Sequence, residues 1–219
     1  MHNFLLLLLL SITLITSCNN SISDKNAPVA KQGVLDLSNW DFRADGNVNV
    51  YGEWEFYWKK LYSPEDFSNN PYLSRTGYIN LPGPWDLIKI GNTELTDYGF
   101  ATYRLKVLLK EKKGILSFWI EKIATSYNLH VNGKLIKSVG KVSTSKENNL
   151  DDIDFRTVRF SVDTNELDIV LQVSNYVSLY GGINNTAFIL GEDSLITNKM
   201  INSYALTFAI LGSIVFMGL

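Results

Sequence analysis

This 219-residue sequence predicts an all-β sandwich or barrel, and three observations predict it. Short apolar runs alternate with polar residues at a period of two. Gly, Asn, Asp and Ser collect between those runs, and no long segment of helical period interrupts them. With 46% hydrophobic and 19% charged residues the chain resembles an ordinary globular domain that buries its own core.

The elements follow in chain order. Val48, Val50, Trp54, Phe56 and Trp58 share one parity and Asn49, Tyr51, Glu53, Glu55 and Tyr57 the other, which gives a strand one apolar and one wetter face. A helical turn is expected at Ser63, because Ser63 can cap, Pro64 fits the first helical position and Asp66 completes a capping box. Ala101, Tyr103, Leu105, Val107 and Leu109 form a second apolar stripe opposite Thr102, Arg104 and Lys106, and residues 110–114 turn the chain. Tyr127, Leu129 and Val131 lead into Asn132-Gly133, the dipeptide suited to the positive φ angles of a type I′ hairpin turn, and 135–139 returns. Val158, Phe160 and Val162 precede a polar turn at 163–166, after which Leu167, Ile169, Leu171 and Val173 alternate with Asp168 and Gln172. Residues 140–154 read as a long polar connection of the kind that often carries function. A short helix over 193–202 is expected to run into the apolar segment that follows it.

Both ends point to a membrane. Residues 4–15 are almost unbroken apolar, too short for the roughly 20 residues of a spanning helix, and read as the apolar region of a secretory signal. Ile15-Thr16-Ser17-Cys18 follows, ending on the only cysteine of the sequence, and resembles a bacterial lipobox. The resemblance implies cleavage before Cys18 and lipidation there; an ordinary cleaved signal with an incidental cysteine is the alternative. Either way the body is exported, with no internal disulfide and no multi-cysteine zinc site. No charge appears after Lys199, and 205–219 is continuously apolar apart from Thr207 and Ser213, which reads as a transmembrane helix cut short. The expected organisation is a signal peptide at 1–17, a flexible tether at 18–33, a sandwich at 34–191, and a linker helix with the start of a membrane helix at 192–219.

The order of motifs carries a resemblance. Gly52-Glu53-Trp54-Glu55-Phe56-Tyr57-Trp58, Leu81-Pro82-Gly83-Pro84-Trp85, Gly99-Phe100-Ala101-Thr102-Tyr103-Arg104-Leu105, Val131-Asn132-Gly133-Lys134 and Val173-Ser174-Asn175 resemble the periplasmic sensor region of bacterial seven-transmembrane receptors with diverse intracellular signalling modules (7TMR-DISM). Several of the same elements are similar to the galactose-binding-like jelly roll that precedes the barrel in some glycoside hydrolases. Both imply a galactose-binding-like jelly-roll β-sandwich. The receptor resemblance implies a ligand-sensing domain held at the inner membrane and facing the periplasm, a homodimer through the receptor, and an enzymatic output module beyond residue 219. An accessory carbohydrate-binding module of a glycoside hydrolase and a structural or adhesive surface lipoprotein are the alternatives.

Catalysis is not expected of this chain. The balance of 20 Lys+Arg against 22 Asp+Glu provides no basic field for nucleic acid. With His2 in the signal, His130 is the one histidine left, so no multi-histidine metal site exists; its parity places it as a solvated strand residue. No phosphate-binding glycine motif or Gly-x-Ser-x-Gly elbow occurs, and no cofactor is expected. Binding is the better expectation, since rings stack on a sugar or similar small polar ligand while amides and guanidinium groups orient it. Arg104 on its wetter face, Lys141 and Ser145 on the long connection, and Asn175, Tyr176 and Tyr180 beside Gly181-Gly182 are the candidates. Trp54, Trp58 and Trp85 are expected to pack the core or anchor loops.

Overall fold

Each alternating run except 48–58 folds as one strand, and the two parities separate into a buried and a wetter face; the run at 48–58, expected as one strand, divides at a positive-φ Gly52 into Val48–Asn49 and Gly52–Trp58, which join different sheets. A computed structural model describes residues 26–217 except 87, 112–113, 122, 151, 153–156 and 185–187. The expected signal at 1–17 and the expected lipid site Cys18 lie outside the described residues. The chain begins with β1 (Val34–Leu37), a one-turn helix α1 (Phe42–Asp45), β2 (Val48–Asn49), β3 (Gly52–Trp58), α2 (Pro64–Asn69), β4 (Gly77–Leu81), β5 (Gly83–Pro84) and a small hairpin of β6 (Lys89–Ile90) and β7 (Thr93–Glu94). It continues through β8 (Gly99–Leu109), β9 (Ile115–Ile120), β10 (Ser126–Val131), β11 (Lys134–Val139), a 3-10 turn (Lys146–Asn148), β12 (Thr157–Ser161), β13 (Glu166–Asn175), β14 (Gly182–Ile183), β15 (Phe188–Glu192) and α3 (Asp193–Met217).

One sheet has the order β11-β10-β13-β8-β3-β4; β8 pairs with β3 over Ala101 to Arg104 and then, in parallel, with β1 over Lys106 to Leu109. The second sheet is β12-β9-β15-β2. Between them lie Leu105, Val107, Leu129 and Leu171 from the first and Leu116, Phe118 and Leu190 from the second, all fully buried. Each such side chain contributes about 1.5–3 kcal/mol relative to leaving it in water. The fold is thus an all-β sandwich, as the period of two predicts.

Local chemistry explains the punctuation. Asn132 and Gly133 take φ +47° and +81°, so the β10–β11 hairpin forms on the expected turn. Ser63 caps α2 through the Asp66 N–H while the Asp66 carboxylate accepts from the Ser63 N–H. Trp54, Trp58 and Trp85 all belong to the core, with Trp85 meeting Trp58 edge-on at 5.0 Å.

The N-terminal boundary differs from expectation. Ala30 is buried in the core and bridges Gly52, with Ala30 N–H donating to the Tyr51 carbonyl at 2.8 Å. The sandwich therefore starts before residue 34, and the last residues of the expected tether are part of it; an isolated alanine carries no periodic signal. At the other end, β15 passes into α3 without an intervening loop. Ile196 is fully buried beside Gly191, whereas Ile201, Tyr204, Leu206, Phe208, Ile210 and Leu211 are each about half exposed or more. Among the described residues no helix is long and apolar enough to cross a membrane.

The pairings set the two ends of the sandwich. Gly99 of β8 lies opposite Asn175 of β13 at one end; Glu192 of β15 lies opposite Leu116 of β9 at the other, where α3 begins.

Candidate functional site

At the Gly99–Asn175 end, loops from several strands meet in a rim. Asn175 continues the inward parity of Leu171 and Val173, so its amide turns under the rim and is fully buried. Its Nδ2 donates to the carbonyls of Asp97 (2.8 Å), Ser178 (2.9 Å) and Tyr180 (3.4 Å), while its Oδ1 accepts from the N–H groups of Val177 (3.3 Å) and Ser178 (2.9 Å). One side chain therefore shapes the loop after β13 and ties it to the loop before β8. The next fixings come from glycine. A Cβ on Gly181 would lie 1.7 Å from the Trp85 indole nitrogen, and one on Gly182, at φ +82°, would lie 2.5 Å from the Tyr103 hydroxyl. Only glycine lets the main chain lie on those rings. The Gly181 N–H donates to Asp86 Oδ1 at 2.9 Å, and the Gly181 carbonyl accepts from the Trp85 N–H at 3.0 Å.

The long connection joins the same rim. Its two ends pair through Lys141 and Leu150, Ser126 Oγ donates to the Leu150 carbonyl at 2.7 Å, and the Ser143 N–H donates to Ser174 Oγ at 3.1 Å. Tyr176 follows directly, its phenol pKa pushed up by burial and then by the Glu147 charge. Lys141, Ser145, Asn175, Tyr176 and Tyr180 are thus brought to one end of the sandwich. Lys141 and Tyr180 are exposed and Ser145 and Tyr176 half-buried. Asn175 differs from expectation: both ends of its amide are engaged inside the protein, so it builds the rim and has no polar atom to offer a ligand.

Arg104 does not join them. It sits five residues along β8 from Gly99, about 17 Å at strand rise. Its guanidinium donates to both Asp168 oxygens at 2.8 and 3.0 Å, lies 4.0 Å from Glu55, and stacks 4.4 Å from the Phe67 ring of α2. Burial pulls its pKa down, but the Asp168 hydrogen bonds and charge outweigh burial and leave it raised. Burial and the neighbouring Glu55 likewise raise the Tyr57 phenol. This network, roofed by Tyr62 and Phe67, fastens α2 to the outer face of the larger sheet. Arg104, expected among the ligand-binding residues, thus lies away from the rim, with its Nε and one Nη donating to Asp168. His130 also differs from the solvated residue expected: it is half-buried, and burial lowers its pKa.

Sequence reasoning missed the rim residues Asp86, Asp97, Tyr98, Val177 and Leu179. The available signal was the inward parity of Asn175, which marks a loop organised from beneath. Among the described residues no group of three or more His, Cys, Asp or Glu side chains is placed to hold a metal ion.

No protein-family model matches this chain, and no curated protein matches it. Among solved structures, the chain is similar to a GH2 beta-galacturonidase from Eisenbergiella tayi, at 15% identity over 67% of this chain and 24% of the enzyme with a TM-score of 0.45. It is similar to a beta-glucuronidase from Faecalibacterium prausnitzii at 12% identity over 67% of this chain and 31% of the enzyme, with a TM-score of 0.47. A Ruminococcus gnavus beta-glucuronidase gives 14% identity, 67% and 28% coverage, and a TM-score of 0.44. This chain spans less than a third of the length of each of these enzymes.

Proposed function

We propose that this chain is the extracytoplasmic, non-catalytic sensing domain of a membrane receptor, a galactose-binding-like jelly roll that binds a small polar or carbohydrate-like ligand at the rim and passes the signal to α3. The observation that carries this reading is the junction at the opposite end. β15 becomes α3 without a loop, and Asp193 is gripped by Arg159 of β12 at 2.6 Å and by Ser117 of β9 at 2.7 Å. Glu192 is held by Arg43 at 2.9 Å, Ile196 packs on Gly191, and the Lys199 ammonium lies 5.5 Å from the Trp119 ring. These contacts tie the first turns of the helix to the smaller sheet, which supports a path for strand displacements into α3.

Residues 201–213 of the helix are mostly apolar and exposed on every side, a surface that suits a surrounding hydrocarbon better than a one-sided protein groove. Together with the apolar run at 205–219 and the lipobox-like Cys18, this supports attachment at a bacterial inner membrane with the sandwich in the periplasm. The experiment is a thermal-shift screen of the full chain against D-galactose, D-glucose and D-galacturonate, followed by hydrogen exchange of residues 193–200 with the best binder. Stabilisation together with altered exchange in α3 supports the sensor; stabilisation with α3 unchanged instead supports an accessory carbohydrate-binding module.

A further inference from the structure

A cleft opens at the end of the sandwich opposite the rim. Glu192 of β15 pairs with Leu116 of β9, so the chain just beyond that pair brings Gly114 and Ile115 up to Asp193 and Ser194, and Arg43 of α1 reaches across to Glu192. These residues line a cavity of about 330 Å³, at the lower end of the roughly 300–1,000 Å³ typical of small-molecule sites. Its charged groups are engaged to different degrees. Asp193 is taken up by Arg159 and Ser117. Arg43 is held at one point only: its Nε donates to Glu192 at 2.9 Å, and among the described residues its two Nη groups donate to nothing. The Arg43 side chain is 79% exposed and that of Glu192 10%, so the guanidinium stands over a carboxylate set into the floor. Ile115, 56% exposed, gives the cleft an aliphatic wall.

We propose that this cleft binds a free α-amino acid with an aliphatic side chain, its carboxylate on the Nη groups of Arg43, its ammonium toward Glu192 and its side chain against Ile115. Three features select a zwitterion. A planar carboxylate matches the edge of a guanidinium, and the edge between the two Nη groups is the one that Glu192 leaves open. A plain anion is opposed by the surroundings, because Glu192 and Asp193 line the cleft and Asp41 and Glu111 add their charge around Arg43. A plain cation meets Arg43 already seated on Glu192 and brings no anion to offset it. An α-amino acid carries both charges one carbon apart and adds no net charge. Bound there it touches the first residues of α3, so it acts on the junction directly. This inference goes beyond the rim reading and does not depend on it.

The test titrates the nitrogen-15-labelled full chain, in detergent micelles, with L-leucine. Parallel titrations use 4-methylpentanoate, which lacks the ammonium, and 3-methylbutylamine, which lacks the carboxylate. Expected are saturable amide shifts at Gly114, Ile115 and Ser194 with L-leucine and none at Gly181 of the rim. Either analogue should bind about tenfold more weakly or worse, and Arg43→Gln, at an exposed position, should weaken L-leucine by a similar factor. The analogue comparison on the wild-type chain decides the question even if Arg43→Gln does not fold. Amides of Gly114 and Ser194 that L-leucine leaves unmoved, an analogue that binds as tightly as L-leucine, or a folded Arg43→Gln chain with unchanged affinity each overturns the proposal. Saccharide shifts at Gly181 are read in separate titrations, so failure at the rim and failure at this cleft are distinguishable.

Discussion

Replacing Asn175 by Ala removes the side chain that organises the rim, and the structure fixes how much that should cost. Three of its five bonds are short, to the Asp97 carbonyl at 2.8 Å and to the Ser178 carbonyl and N–H at 2.9 Å each, and the amide is fully buried. At about 1 kcal/mol net per bond the loss is about 3 kcal/mol, and unpaired groups that water cannot reach raise it toward about 5. In a domain of this size about 1 kcal/mol moves Tm by roughly 2–4 °C, so about 3 kcal/mol moves it by roughly 6–12 °C. Thermal unfolding followed by near-ultraviolet dichroism measures this, since Trp85 lies directly beneath Gly181. Hydrogen exchange should rise over 176–181 at the same time. Tyr180→Ala, which removes an exposed ring, should stay within about 0.5 kcal/mol of wild type. An Asn175→Ala variant that melts within a degree or two of wild type, or whose rim exchange is unchanged, would refute the assignment of Asn175 as the organiser.

The remaining predictions follow from the same accounting. Arg104→Ala should destabilise by about 2 kcal/mol in chemical denaturation, less than the 3–5 expected for breaking a fully buried pair because this one is partly solvated, and Asp168→Ala with Arg104→Ala together should cost less than the sum. Gly182→Ala should cost about 2–4 kcal/mol from positive-φ strain and contact with Tyr103, whereas Phe118→Ala, which empties a site between Phe160, on which the ring stacks, and Phe188, which it meets at a tilt, should cost about 3–5 by the same measurement. The Arg159 and Ser117 hydrogen bonds hold the Asp193 carboxyl below its ordinary value of 3.8, so this grip is fully present above that pH and is lost as pH falls through the lowered value. Exchange over 193–197 should accordingly rise below about pH 4, and Asp193→Asn should raise it at neutral pH. If Cys18 is lipidated, wild type should incorporate labelled fatty acid and Cys18→Ser should not; equal labelling would remove the claim.

Where the sequence was legible and where it was not has a physical basis. A period of two reports which side of a strand is buried, so the parities of 101–109 and 167–173 foretold the two faces of β8 and β13, and Asn132-Gly133 foretold its own turn. Parity cannot report what covers the wetter face. Arg104 looked available because nothing local shows that α2, some 40 residues earlier, lays Phe67 over it and that Asp168, 64 residues later, takes its donors. Asn175 shows the converse case, in which its parity pointed inward but its residue type suggested a ligand. At a strand end, direction decides, because a buried amide must find its partners inside the protein. The gathering of 141–150 with 175–181 depends on the pairing of β10 with β13, which is a long-range fact with no local signature.

The central claim, that ligand at the rim is felt by α3 at the other end, is tested most directly by hydrogen exchange over residues 193–200 of the full chain with and without a saccharide that stabilises it. The account predicts a change in exchange there that disappears in Arg159→Gln, while binding at the rim persists. Binding that leaves exchange over 193–200 identical in wild type and Arg159→Gln would contradict it.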